Sequence, residues 1–147
     1  MKQLFKTCHV FRRSQSFFAF GVLNTPYGGI TVPPASKLAS APTASELGQT
    51  ILRTLDTLPN QMTEVNLATA RQPYLAYLKE NGFKNPTVFE KGGSLVAVHF
   101  DGEFYEIVPH QKDENGAFVA QSSAKLAPES SAEQVGKSVL ATFDAIC

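Results

Sequence analysis

This chain contains one of its own segments twice, and any fold it adopts has to accommodate both copies. Shifted by 88 positions, residues 30–58 align with residues 118–146 without a gap. Eight of the 29 positions are identical: Lys37, Leu38, Ala39, Ala44, Gly48, Leu52, Thr54 and Asp56. Unrelated segments share roughly two, given ordinary residue usage. Many other positions are conservative pairs, among them Leu47/Val135, Thr50/Ser138, Ile51/Val139, Leu55/Phe143 and Leu58/Ile146. An internal repeat sets the architecture before any local reading does.

The repeated segment reads as a helix. Leu47, Ile51, Leu55 and Leu58 recur at helical spacing, as do Val135, Val139, Phe143 and Ile146, so each set lines one helix face. Ser45 or Thr43 is placed to cap the first copy, and Ser131 or Ser130 the second; Glu46 and Glu133 stand in the first turns, where the dipole favours an acid. Gly48 and Gly136 lie inside these helices, where Gly costs about 1 kcal/mol relative to Ala. The same cost at the same place twice predicts a close approach, read here as helix against sheet.

At 147 residues the chain is long enough to bury its own core. Apolar residues at 43% and charges at 18% suit a globular protein, not a disordered one. The basic N-terminal residues Lys2, Lys6, Arg12 and Arg13 precede an apolar run of seven, Phe17–Leu23, whose aromatics suit a strand better than a signal peptide. No run is long enough for a membrane-spanning helix. Cys8 and Cys147, at opposite ends, read as free thiols in a reducing compartment. The zero net charge hides an asymmetry: residues 1–85 carry nine basic and four acidic groups, and residues 86–147 carry four and nine.

Residues 3–11 and 16–23 read as strands about a turn at Arg12–Gln15. Ile30–Val32 is a third strand, ended by Pro33–Pro34, and Lys37–Ala39 a short fourth. A helix over 44–58 follows. Pro73 and Gly82 bracket a helix at 72–80. Pro86–Glu90 then reads as a strand, Ser94–Phe100 and Glu103–Pro109 as a hairpin over Asp101-Gly102, and 117–126 as a last strand before the helix at 131–146. The expected fold is α+β, in one domain over residues 1–147. It consists of two related halves (about 3–58 and 86–146), each an antiparallel sheet of three to four strands followed by a helix, with a helical insertion at 60–84 between them.

No strong catalytic motif is present: no nucleophile elbow, P-loop, dinucleotide fingerprint or His-Glu-x-x-His. Ser122 and Lys125 satisfy Ser-x-x-Lys, but in an extended segment that spacing puts them on opposite faces. His9, His99 and His110 lack metal-ligand spacing, so no metal or other cofactor is expected. The carboxylates Asp101, Glu103, Glu106, Asp113 and Glu114 are the candidate binding residues. They read as a solvated sheet face or, more sharply, as an acidic surface for a partner.

Several segments together resemble a known family. They are Phe17-Phe18-Ala19-Phe20, Val32-Pro33-Pro34, Ser45-Glu46-Leu47-Gly48-Gln49-Thr50-Ile51-Leu52, Tyr74 to Lys79, Asn81-Gly82-Phe83, Val88-Phe89, and the His99–Ile107 hairpin ending in Val108-Pro109. This order resembles the CdiI-type immunity proteins of bacterial contact-dependent growth inhibition systems. The resemblance implies a cytoplasmic, non-enzymatic protein that binds and blocks the C-terminal toxin domain of its cognate CdiA-type effector, often a nuclease. It also implies a Whirly-like fold, with which the internal repeat agrees. No binding residue carries over by motif.

Two functions follow. In the first, the acids from Asp101 to Glu114 complement a basic toxin cleft and speed association. In the second, Lys2, Lys6, Arg12 and Arg13 with Phe11, Phe17, Phe18 and Phe20 hold a single nucleic-acid strand by phosphate contacts and base stacking.

Overall fold

The structure is a computed structural model that describes residues 6–25, 28–38, 41–58 and 66–146. Its elements run β1 (Lys6–Arg13), β2 (Ser16–Thr25), β3 (Gly28–Leu38), α1 (Ala44–Thr57), α2 (Leu67–Glu80), α3 (Pro86–Lys91), β4 (Ser94–Phe100), β5 (Tyr105–Lys112), β6 (Phe118–Ala120), β7 (Ala124–Leu126) and α4 (Ala132–Ile146). The strands form one antiparallel sheet in the order β3-β2-β1-β4-β5-β6, with β7 also on β5. Separate sheets for the two halves are therefore not what forms: β1 and β4 pair along their whole length and join both sets of strands.

The 88-residue shift superposes more than the segments that show it in sequence. Moved by 88, β1 falls on β4, β2 on β5, β3 on β6 and β7, and α1 on α4. In the β1–β4 ladder His9 stands opposite Ala97, its own counterpart. The helix caps recur as well. Thr43 Oγ1 accepts from the Glu46 amide at 3.1 Å while Glu46 returns a carboxylate oxygen to the Thr43 amide. At the counterpart positions, Ser131 Oγ accepts from the Gln134 amide at 3.2 Å and Gln134 Oε1 accepts from the Ser131 amide at 2.8 Å. Each is a capping box, satisfying two amide donors at the helix start.

Helices α1 and α4 share one face of the sheet and press on each other. A Cβ at Gly48 would stand 1.7 Å from the Ala132 carbonyl oxygen, and one at Gly136 1.8 Å from that of Ala44. The close approach anticipated from these glycines is thus helix on helix, and it is reciprocal. Beneath them lies the larger core, with Cys8, Val10, Phe17, Leu47, Ile51, Val96, Val98, Ile107, Val139 and Phe143. The opposite face carries a second, aromatic core of Phe11, Phe18, Phe20, Tyr74, Leu78, Phe89 and Leu95, whose rings meet edge to face at 5.0–6.0 Å.

Several local expectations differ from the structure. Pro86–Glu90 is a helix, because Asn85 Oδ1 caps it by accepting from the Val88 amide at 2.9 Å and Pro86 sits where no amide is needed. The insertion helix starts earlier than Pro73: Asn66 caps it and Pro73 is interior. Strand β3 continues past Pro33–Pro34 to Leu38, absorbing them in a register slip opposite Phe20/Gly21. The expected last strand is split into β6 and β7. The hairpin turn spans Asp101–Phe104, so β5 begins at Tyr105 instead of Glu103.

Candidate functional site

Side chains alternate across β1, β4 and β5. Cys8, Val10, Val96, Val98 and Ile107 point toward α1 and α4. The other set, Thr7, His9, Ala97, His99, Glu106, Val108 and His110, points to the opposite face. There α2 and α3 gather over Phe11, Phe18, Phe20 and Leu95. Beyond that aromatic cluster, toward the β4–β5 turn, the face is polar.

Three histidines lie on this face, on three adjacent strands: His99 near the β4–β5 turn, His9 opposite Ala97, and His110 opposite Leu95 toward the other end of β5. His99 Nδ1 and Thr7 Oγ1 share a hydrogen bond of 2.7 Å, and His110 Nδ1 meets the Val108 carbonyl oxygen at 3.1 Å. Burial, reinforced by His110 and His99, pushes His9 down to about 4. Burial also lowers His99, opposed by the charge of Glu106, and His110, opposed by its bond to Val108. The three are neutral imidazoles at neutral pH. Among the described residues no group of His, Cys, Asp or Glu is arranged to hold a metal ion.

A cavity of about 210 Å³ opens beside His99, lined by His99, Asp101, Phe104, Glu106 and Lys125. Strand pairing sets Glu106 opposite both His99 and Lys125. The Lys125 ammonium stands 5.6 Å from the centre of the Phe104 ring, which is 44% exposed. Asp101 Oδ1 accepts from the amides of Glu103 (2.7 Å) and Phe104 (2.8 Å), and these bonds hold its carboxyl below its usual range.

The five anticipated carboxylates divide into two groups. Asp101, Glu103 and Glu106 cluster at the β4–β5 turn, two of them in the cavity wall. Asp113 and Glu114 are exposed in the β5–β6 turn, where Asp113 Oδ1 accepts from the amides of Asn115 (2.8 Å) and Ala117 (2.9 Å). Most of strand β5 separates the groups, which at the ordinary rise of a strand is roughly 25 Å. Phe104 and Lys125 were missed as site residues. Their signal was present in an aromatic in a charged hairpin and a lysine in the pairing strand, but it needed the β5–β7 register.

The single-strand reading fares differently. Phe11, Phe17, Phe18 and Phe20 are all buried, at most 6% exposed, so they offer no stacking platform. Arg12 is spent on Asp144, on the Phe143 carbonyl and on the Phe143 ring. Arg13 donates to the Phe89 carbonyl over the Phe83 ring. Lys2 lies outside the described residues, as does Cys147. Cys8 is fully buried and its thiol is pushed up to about 12, so it stays protonated. Ser122 lines a groove against α4, whereas Lys125 faces the cavity on the other side, which rules out a Ser–Lys pair.

No protein-family model matches the sequence, and no curated protein does. Solved structures do match in fold. One is a protein of unknown function from Neisseria meningitidis, with a TM-score of 0.80 at 15% identity, covering 100% of this chain and 98% of that one. Another is a chain of a CdiA-CT/CdiI toxin and immunity complex from Yersinia pseudotuberculosis, with a TM-score of 0.78 at 10% identity, covering 98% of each chain.

Proposed function

We propose that this chain is a CdiI-type immunity protein. It binds the C-terminal toxin domain of a cognate CdiA-type effector in the cytoplasm and neutralises it without doing chemistry of its own. The observation that carries this reading is the fold shared, end to end, with a chain of a CdiA-CT/CdiI complex. The two halves spaced by 88 residues are, in this reading, copies of one Whirly-like unit joined within a single domain. The second copy supplies the partner-facing surface.

That surface is the acidic end of β4–β5. Asp101 and Glu103 are exposed and Glu106 half-buried. Asp101 is held in place by its own turn, so it meets a partner without first losing side-chain freedom. Asp113 and Glu114 extend the same sign of charge to the other end of β5. The surface suits a basic cleft such as a nuclease uses for phosphates, and its charges act mainly on the rate of encounter.

The test is to purify the chain with the C-terminal domain of the effector encoded beside it and measure association at several salt concentrations. A stable complex is expected. Reversing Asp101, Glu103 and Glu106 to lysine should slow association roughly tenfold or more at low salt, within the range that electrostatic steering spans. An unchanged rate removes the acidic hairpin from the interface. Failure to form any complex overturns the immunity reading.

A further inference from the structure

A different cavity, about 490 Å³, lies between β3, α2 and α3, with Ile30, Arg71, Tyr74, Pro86 and Glu90 in its wall. Three polar groups meet there without satisfying one another. Tyr74 is 5% exposed and its ring packs edge-on against Phe20 at 5.1 Å, yet among the described residues its hydroxyl has no hydrogen-bond partner. Buried hydroxyls almost always have one. The charges of Glu90 and Arg71 both act on that hydroxyl, so all three groups look into one space. Glu90 is half-buried and Arg71 exposed, and neither forms an ion pair among the described residues.

The wall therefore presents one cation, one anion and one unused hydroxyl beside an apolar patch. A simple anion would meet Glu90 as a like charge, and a simple cation would meet Arg71 as one. A ligand that carries both charges answers both. We propose that this cavity binds a free zwitterionic α-amino acid. Arg71 takes the carboxylate, Glu90 the ammonium, and the Tyr74 hydroxyl donates to a carboxylate oxygen. Burial raises the Tyr74 pKa, which keeps that proton in place at neutral pH. An apolar ligand side chain rests on Ile30 and Pro86. The site is built by β3, α2 and α3, on the sheet face opposite α1 and α4, and it is independent of toxin binding.

The experiment uses the full chain with L-leucine and L-phenylalanine as probes, read by ligand-detected NMR and by thermal shift. N-acetyl-L-leucine and L-leucine methyl ester each lack one charge. Binding of the free amino acids at millimolar concentration is expected, with each blocked form at least about tenfold weaker, since a charged hydrogen bond is worth about that much. Tyr74→Phe keeps the ring packing and should weaken binding by a similar factor. Glu90→Gln should weaken leucine and bring the ratio of N-acetyl-leucine to leucine affinity closer to one, while the ester-to-leucine ratio stays as it was. Equal binding of the blocked forms, unchanged affinity in a folded Tyr74→Phe variant, or no binding of either probe overturns the proposal.

Discussion

Single residues here hold most of the pH and stability behaviour that can be measured directly. His9 is depressed to about 4 in the fold against an ordinary 6.5, so the unfolded chain takes a proton that the folded chain refuses. Between pH 6.5 and 4 the unfolded state binds more protons, and stability falls as pH falls through that window. The full loss from His9 is about 3 kcal/mol, and His99 and His110, also lowered, act in the same direction. Urea unfolding at pH 7 and pH 4.5 should show a clearly lower midpoint in acid, and His9→Gln should flatten that dependence. Tyr74→Phe should stabilise the fold by about 1 kcal/mol, because it deletes a buried hydroxyl that has no partner among the described residues. That gain should come at the expense of amino-acid binding. Neither effect was legible in the sequence, since both depend on which side chains share a desolvated space.

The elements show where the sequence spoke clearly and where it did not. Helices α1 and α4 were legible because spacing, caps and the repeat all agreed, whereas the partner of Gly48 and Gly136 was not. Only the fold shows that each glycine seats on the first residue of the other helix. Gly48→Ala and Gly136→Ala gain helix propensity worth about 1 kcal/mol, but the new methyl has to displace a backbone carbonyl that no rotamer can move. Each variant should lose about 2–3 kcal/mol or more, and a guanidinium titration reads the difference. Helix α3 was misread because Thr87-Val88-Phe89 has strand-forming residues, and the Asn85-Pro86 start outweighs them. Phe89, fully buried at the centre of the aromatic core, anchors that helix. Phe89→Ala should cost about 3–5 kcal/mol and open the α2–α3 face to proteolysis.

At the scale of the whole molecule, the described residues form a single sheet with different covers on its two faces. The repeat predicted that two similar units exist, but hydrophobic pattern alone did not show that β1 and β4 would fuse them. Both strands are apolar enough to sit centrally in one sheet or at the edge of two. One face is closed by α1 and α4. The other is closed over β1–β2 by α2 and α3, and its β4–β5 end carries polar groups and the acidic turn. The charge asymmetry seen in sequence thus becomes a spatial one: arginines of β1 are tied into the core, while the carboxylates of β4–β5 face outward. The most direct test of the immunity reading is growth of cells that express the C-terminal domain of the neighbouring CdiA-type effector, with and without this chain. The account predicts that the domain alone arrests growth, that this chain restores it, and that reversing Asp101, Glu103 and Glu106 to lysine weakens the rescue. Arrest that persists at full expression of the folded chain would contradict it.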